Sequence, residues 1–407
     1  MGIIGVSLFL LIAYIVSENR RNIHIRQVAS ALILQFLLGY LMISSESGRS
    51  TILYLSQWIQ TLVSYGNTGI AYMHESYLGN SITSFGHIFA LTILPKLIFF
   101  SALISVLYRL GVMALLVKSI GWLLKRLLNL SDVESLAVTS NLFLGHIESA
   151  ITVKPYVIVM NRSQLFLLVT AGMSSISVGV MAASSAIGIS IEYLVTASIM
   201  ALPGSVLFAK IIQPEGSAQE HRESPAKLNI ERFENSLHAA ANGAQFGMKL
   251  ALNIGATLLA FVGLIALFNG MLSMVGDLLG IGTVTLESIL GFVLSPLTFL
   301  IGIPWEETQI AGVLLGKKLI LNEFIAYHEL IQYQFTAEGA TLSQRSLAII
   351  TISLCGFGSL SAIGALIAGI GQLAPSQKHE VARIGLKALL AATLANLTSA
   401  AIVGTLI

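Results

Sequence analysis

Long apolar stretches joined by short polar connections dominate the sequence, and they constrain the fold more than any other feature. Several approach the roughly 20 residues that an α-helix needs to cross a bilayer. Charged residues make up only 10% of the 407 residues, against about 25% in soluble globular domains. Such a chain lacks the polar surface of a soluble enzyme and is too apolar to be disordered. We therefore predict an all-α polytopic membrane protein.

Several functional classes are excluded by composition and motifs. The net charge of +2 is too small to indicate the basic surface that nucleic-acid binding requires. The single cysteine, Cys355, lies in an apolar run and cannot form a disulfide framework or a thiolate metal cluster. No Walker loop, dinucleotide fingerprint or His-x-x-Glu zinc pattern occurs. We expect neither an enzyme nor a protein that drives transport with ATP by itself.

The apolar stretches predict eight transmembrane helices, two interrupted segments and interfacial helices. The expected spans cover residues 2–16, 28–43, 88–112, 164–186, 191–212, 246–270, 347–370 and 382–406. Interfacial segments are expected at 44–84, 114–130 and 271–300. The interrupted segments, 131–160 and 304–333, contain too many polar residues to face lipid and predict re-entrant helical hairpins. A Ser-x-x-Glu capping box at Ser131 marks the start of the first hairpin.

The same order of elements occurs twice along the chain: a span, an interfacial helix, a hairpin and then two spans. An odd number of crossings separates the hairpins, so they enter from opposite faces, as in the inverted repeats of secondary transporters. The chain is therefore predicted to divide into four parts. Residues 1–85 form N-terminal spans with an outer interfacial segment, 86–212 a first repeat, 213–245 a cytoplasmic linker and 246–407 a second repeat.

Basic residues favour one orientation. One set of connections carries thirteen of them and the other carries four, the latter being Arg49, Lys317, Lys318 and Arg345. The richer set, which includes Arg162 and Lys210, is expected in the cytoplasm. Both termini are then periplasmic in a multi-pass protein of a bacterial inner membrane.

Glu148 and Glu323 stand near the tips of the two predicted hairpins. A charge at the bilayer centre costs at least about 2.5–3.5 kcal/mol, so each carboxylate requires water, a partner or a ligand. A structural ion pair with Lys154 or Lys318 is one interpretation. The matching placement of the two glutamates favours a ligand site.

Two spans, one following each hairpin, contain internal runs of small and polar residues, at 172–179 and 355–364. Such runs occur where helices pack closely in membranes. Their paired positions favour broken helices, whose free carbonyls can hold a cation.

Three further residues of these regions have open roles. His146 is either a proton carrier or a hydrogen-bonding group. Asn322 either orients the Glu323 carboxylate or binds ligand, and Phe357 either stacks on a flat ligand or fills core space.

The motifs at the hairpins and breaks together resemble the concentrative nucleoside transporter family over essentially the whole chain. The runs that carry the resemblance are 249–255 with its continuation to 269, the second tip at 322–327, Cys355-Gly356-Phe357, and 141–148. The resemblance implies a homotrimer in which each protomer has its own pathway. It implies a substrate site formed by His146, Ile147, Glu148, Val180, Asn322, Glu323, Phe357, Ser359 and Ala362. It also implies a sodium site formed by Asn141, the Leu144 carbonyl, Ser175 and the Ile176 carbonyl.

The sequence departs from the family pattern at the substrate site. The first tip reads Gly-His-Ile-Glu where Gly-Gln-Thr-Glu is usual, and Ile147 cannot form a side-chain hydrogen bond. Ser359 replaces a usual Asn, and Ala362 replaces a usual Ser. Lost hydrogen-bonding partners alter discrimination between ligands, so a purine or modified nucleoside is an alternative to the usual pyrimidine nucleoside.

We therefore expect a secondary transporter that imports nucleosides by cation symport and alternating access, with sodium favoured and no resident cofactor. A proton carried by Glu148, Glu323 or His146 is the rival coupling ion, in transport of a nucleoside or a nucleobase. A membrane sensor that uses this fold without transport is a second class of function.

Overall fold

All regular elements in the described part of the chain are helical. The computed structural model describes residues 1–78, 94–216, 233–280, 282, 284–335 and 342–407. The first-half helices are α1 Gly2–Val16, α2 Ile25–Ile43, α3 Glu46–Leu78, α4 Leu94–Arg109, α5 Val112–Leu128, α6 Asp132–Phe143, α7 His146–Thr152, α8 Lys154–Val157, α9 Arg162–Ser174, α10 Val178–Ala186 and α11 Ile191–Ile212. The second-half helices are α12 Ser236–Leu278, α13 Leu286–Leu300, α14 Thr308–Ile320, α15 Glu323–Phe335, α16 Gln344–Leu354, α17 Leu360–Leu373 and α18 Lys378–Leu406.

Four of the helical segments in the described ranges are long and apolar enough to cross a membrane. They are Ile25–Ile43, Arg162–Ala186, Ile191–Ile212 and Pro375–Leu406. A fifth is present if the bent pair of α4 and α5 counts as one span. Other predicted spans are helices that are shorter, such as the 15-residue α1, or interrupted. The chain is an all-α polytopic membrane protein, as predicted.

The segment expected at the outer interface, 44–84, is more regular than predicted. Residues 46–78 form one 33-residue helix, α3, which packs against α2, α4 and α11, whereas 79–84 lie outside the described residues. Its polar sequence is compatible with a continuous helix because hydroxyl groups of Ser50, Thr51 and Thr61 donate to carbonyls four residues earlier. Such hydrogen bonds satisfy the hydroxyls within the helix itself.

The expected amphipathic helix follows a sharp bend. The axes of α4 and α5 differ by 78°, and the connecting Gly111 has a φ of +82°. On α5, Trp122 is exposed with the Arg126 guanidinium over its ring, and Lys125 pairs with Asp132 at 2.8 Å. A surface position for this helix is thereby confirmed, although residues 88–93 of the preceding predicted span lie outside the described residues.

Both predicted hairpins and both predicted breaks are present. The first hairpin comprises α6 and α7, separated by Leu144 and Gly145, and the predicted capping box joins Ser131 and Glu134 in both directions. The second comprises α14 and α15, separated by residues 321–322. One break, residues 175–177, separates α9 from α10, and the other, residues 355–359, separates α16 from α17.

The start of the second half differs from the prediction. Residues 236–278 form a single 43-residue helix, α12. This helix includes the last residues of the predicted linker, the whole predicted span 246–270 and the first residues of the predicted interfacial segment 271–300. Gly243 and Gly247 let α12 approach α4 closely, since an added Cβ would lie 2.5 Å from the Ser101 carbonyl oxygen or 2.6 Å from Ile98 Cα. This packing supports helical turns that the polar sequence around residue 240 did not predict, so the helical part of the second half begins at Ser236.

Ion pairs gather several predicted loops on one face. Glu18, after α1, pairs with Arg162 at 2.8 Å and with Lys387 at 2.7 Å, and Arg162 also pairs with Glu380. On a separate set of connections, Arg345 donates to the Gly404 carbonyl. Arg162 and Arg345 therefore have different sets of partners.

Two lysines assigned to loops are instead buried. Lys210, in the last turn of α11, is 3% exposed and pairs with Glu134 at 2.5 Å and with Glu215. Lys318, in the last turn of α14, has no exposed surface. Sequence position near a helix end suggested exposure, but tertiary contacts supply each ammonium group with acceptors.

Candidate functional site

The two helix breaks contact each other in the buried interior of the protein. The Phe357 backbone N–H donates to the Ser175 carbonyl at 3.3 Å. Gly356 has a φ of +106°, and an added Cβ would lie 2.6 Å from the Ser174 carbonyl oxygen. A glycine is therefore required where the unwound segments touch. The Asn396 side chain of α18 donates to the Cys355 carbonyl and so holds the first residue of the second break against α18.

Glu148 caps the second helix of its own hairpin. Its Oε2 accepts a hydrogen bond from the Gly145 N–H at 2.5 Å, whereas Lys154, the partner considered from sequence, is exposed. Glu148 also lines a cavity of about 330 Å³ between α4, α7, α10 and α12. Polar residues of this cavity include Tyr108, Ser177, Asn242, Gln245 and Lys249.

The first hairpin tip contacts the second half through His146 and Ile147. The His146 and Phe357 rings have centroids 4.7 Å apart and planes inclined by 58°. Both His146 ring nitrogens are buried without a hydrogen-bond partner, so they are available to a ligand. Ile147 lies against Gly369 of α17, where an added Cβ would come within 2.9 Å of its side chain. Sequence reasoning did not single out Gly369, because a glycine among small helical residues gives no distinct signal.

The second hairpin tip is tied to the second break. Asn322 Oδ1 accepts from the Ile325 N–H at 3.1 Å, and the adjacent Glu323 is 3% exposed at the first position of α15. Ser359 Oγ accepts from the Ala362 N–H at 3.3 Å and lies 2.9 Å from Ser361 Oγ.

Ser361 then donates to the Leu321 carbonyl at 2.9 Å, which links the break to the tip. Ser361 was missed from sequence, where it is one hydroxyl among several. Val180, expected in the substrate site, is fully buried, and its N–H donates to Ser177 Oγ.

A group of oxygen atoms lies where α6 and α9 both end. Asn141 Nδ2 donates to the Ala137 carbonyl at 2.9 Å, but Asn141 Oδ1 is buried without a partner. Ser175 Oγ donates to the Asn141 carbonyl at 3.1 Å and to the Ala171 carbonyl at 2.9 Å. Leu144 and Ile176 follow immediately in the respective unwound segments.

Helix C-termini carry partial negative charge, and hard cations prefer oxygen ligands. The residues therefore fit a sodium ion. In the described ranges no group of three His, Cys, Asp or Glu side chains is placed to hold a transition metal.

Lys318 is the residue whose role sequence reasoning least anticipated. Its Nζ donates to the Ser353 and Cys355 carbonyls, each at 3.4 Å, at the end of α16. Glu323 is close enough for a Coulomb interaction with it. The ion pair considered from sequence is therefore replaced by capping of backbone carbonyls, with Glu323 as a more distant partner.

Two hairpins whose tips meet two broken helices, inside an apolar helical chain, define a secondary membrane transporter. Family comparison agrees. Residues 4–76 match the model "Na+ dependent nucleoside transporter N-terminus", 90–191 match "Nucleoside recognition", and 193–404 match "Na+ dependent nucleoside transporter C-terminus". The chain belongs to the Na+-dependent nucleoside transporter family. It is a transporter and not an enzyme.

Similar proteins cover the full length of the chain. The nucleoside permease NupC of Helicobacter pylori is 41% identical over 100% of this chain and 97% of its own. The sodium/nucleoside cotransporter 1 of Rattus norvegicus is 33% identical over 99% of this chain and 63% of its own. A structure of CNTnw in an inward-facing substrate-bound state is 39% identical, with a TM-score of 0.93 over 100% of this chain and 97% of that one. A CNTnw variant in an outward-facing state gives a TM-score of 0.92 over 100% and 97%.

Proposed function

We propose that this protein imports nucleosides across a bacterial inner membrane by Na+ symport and alternating access. The observation that carries the proposal is the meeting of both hairpin tips with both helix breaks around buried polar atoms that lack partners, namely Asn141 Oδ1 and the His146 ring nitrogens. Similarity to both inward-facing and outward-facing structures supports alternating access. The predicted division into two repeats stands as part of this proposal, with the second starting at Ser236.

We assign the nucleobase to the first hairpin tip and α10, through His146, Ile147, Glu148 and Val180. The ribose hydroxyls would be held by Glu323 and Asn322 of the second tip together with Ser359, while Phe357 and Ala362 line the site. His146 supports a base contact because its nitrogens lack protein partners. Ile147 offers only apolar contact, which favours a larger purine surface over the polar edge of a pyrimidine.

We assign the coupling ion as Na+, bound by Asn141, the Leu144 carbonyl, Ser175 and the Ile176 carbonyl. When bound, the ion supplies positive charge that is drawn inward by the membrane potential. One charge moved through 100 mV releases about 2.3 kcal/mol, equivalent to roughly a fifty-fold concentration ratio. The rival is a proton on Glu148, Glu323 or His146.

Proteoliposomes test the substrate and the ion together. Labelled uridine and adenosine are supplied under an inward Na+ gradient, an inward proton gradient, or neither. We expect Na+-driven uptake of both, with adenosine preferred, and competition by unlabelled nucleosides. Uptake driven only by protons would replace the ion assignment. Absence of both uptake and nucleoside binding would support the sensor function.

Orientation and assembly require separate tests. We propose that both termini are periplasmic, because basic residues concentrate on the connections that include Arg162. A single cysteine in place of Ile407, the residue after α18, in a Cys355→Ala background should react with an impermeant maleimide added outside spheroplasts. We also propose a homotrimer, supported by family membership. Native mass spectrometry from detergent should give three times the 43.4 kDa chain mass.

A further inference from the structure

Lys318 is a fully buried lysine at the meeting point of two helix ends. It lies in the last turn of α14, and its ammonium donates to the Ser353 and Cys355 carbonyls at the end of α16. These carbonyls have no partner within α16, because a helix leaves its final carbonyls without intrahelical donors. A compact ammonium with three donors suits such a position.

Lys318 and Asn141 hold matching positions in the two halves. Asn141 lies two residues before the end of α6 at Phe143, and Lys318 lies two residues before the end of α14 at Ile320. A two-residue tip follows each helix, at 144–145 and 321–322.

Each of these two residues is also hydrogen-bonded to the first residue of the break in its own half. In the first half, Ser175 Oγ donates to the backbone carbonyl of Asn141 at 3.1 Å. In the second half, the bond runs the other way, because Lys318 Nζ donates to the backbone carbonyl of Cys355 at 3.4 Å. Each half therefore brings two helix C-termini together at one point, where their carbonyls favour a positive charge.

The halves differ in what supplies that charge. In the first half, Asn141 offers a buried amide oxygen without a partner, which suits a cation from solution. In the second half, the chain itself provides the ammonium of Lys318. We propose that Lys318 is a tethered cation that takes, in the second half, the position of the coupling ion in the first. This inference rests on the proposed Na+ site.

The consequence concerns stoichiometry. Lys318 already fills the cation position of the second half, so only the Asn141 position of the first half has to bind a cation from solution. One positive charge should therefore enter with each nucleoside. Lys318 and Glu323 are both buried in the second half, so the ammonium already supplies a positive charge there without a second ion. Replacing Lys318 with an oxygen ligand should therefore create a demand for a second Na+.

The principal experiment compares the wild type with Lys318→Asn in proteoliposomes clamped at a known potential. We expect one charge per nucleoside and first-order Na+ dependence for the wild type. For Lys318→Asn we expect two charges per nucleoside, second-order Na+ dependence and at least a tenfold higher half-saturating Na+ concentration. Lys317→Asn is the matched control, since Lys317 pairs with Glu329 at 2.5 Å away from the carbonyls of the break, and its ratio should stay at one.

A second measurement covers the case in which Lys318→Asn does not transport. Lys318→Ala is purified in detergent and its melting temperature is recorded with methylammonium chloride or with choline chloride. We expect methylammonium, which can replace the lost ammonium, to raise the melting temperature and to restore nucleoside binding at least fivefold. For the wild type and for Lys317→Ala, the two salts should give the same melting temperature and the same nucleoside binding.

Two results would overturn the inference. One is a Lys318→Asn protein that transports with a ratio of one and unchanged Na+ dependence. The other is an inactive Lys318→Asn together with a Lys318→Ala that methylammonium neither stabilises nor restores. A wild type that lacks Na+-driven uptake would instead refute the proposed coupling ion, while the methylammonium measurement would still report on Lys318.

Discussion

The Phe357 backbone N–H donates to the Ser175 carbonyl, and this 3.3 Å hydrogen bond joins the unwound segment of one half directly to that of the other. A ligand held by either hairpin tip is therefore next to both breaks. Because the segments are in contact, movement of one break changes the environment of the other. This contact offers a physical route for coupling ion binding to substrate binding.

Gly356 is expected to be essential to that contact. Gly356→Ala places a Cβ 2.6 Å from both the Ser174 oxygen and Asn396 Nδ2, at a φ of +106°. Strain of this kind costs about 1–3 kcal/mol, so the melting temperature in detergent should fall. Gly364→Ala is the control, because no atom lies within 4 Å of an added Cβ there and the residue is helical. Equal stability of the two variants would show that the breaks do not touch as described.

Glu323 is expected to carry substrate affinity. Glu323→Gln keeps the side-chain shape but removes the negative charge, which weakens hydrogen bonds accepted from ribose hydroxyls. A charged hydrogen bond contributes about 1.5–3 kcal/mol, so nucleoside binding should weaken about 10-fold to 100-fold. Scintillation proximity binding measures this directly. Glu329→Gln, which removes the charge that pairs with Lys317 but can still accept from the Tyr333 hydroxyl, should bind nucleoside within about twofold of the wild type.

Asn141 is expected to set the affinity for Na+. Asn141→Ala removes the buried Oδ1 that lacks a protein partner. Losing one ligand should raise the half-saturating Na+ concentration at least about tenfold, with a smaller effect on maximal uptake. Ser174→Ala is the control, since Ser174 Oγ is also buried but donates within its own helix to the Ala171 carbonyl. Identical Na+ dependence in both variants would remove Asn141 from the site.

Glu18 is expected to make stability depend on pH. Burial by itself would raise the pKa of Glu18, but the hydrogen bond from Lys387 and the charge of Arg162 hold it below the usual 4.5. Since the folded pKa is lowered, the stabilisation is complete above about pH 4.5 and is lost as the pH falls through the folded value.

The corresponding variant is Glu18→Gln. It should be less stable than the wild type at pH 7 by about 1 kcal/mol or less, and the difference should vanish in acid. Melting temperatures between pH 7 and pH 3.5 measure this. A difference that persists at the acid end would show that the carboxylate charge is not its source.

Sequence determined the class of protein and most landmarks of the site. A chain with so few charges must fold in a membrane, and polar or charged residues inside apolar stretches must lie where backbone and side chains find partners. Glu148 and Glu323 therefore marked the tips, and the small polar runs marked the breaks. These features depend on local chemistry, which a sequence displays directly.

Only the tertiary structure decided which of these groups meet. Three features depend on contacts between distant residues: the burial of Lys318 against carbonyls of another helix, the tilted ring contact of His146 with Phe357, and the unbroken course of α12 along α4. Lys317 and Lys318 are adjacent in sequence, yet Lys317 forms a partly exposed ion pair and Lys318 has no exposed surface. A helix turns by about 100° per residue, so neighbouring side chains face different surroundings, and these surroundings are fixed only when the helices pack.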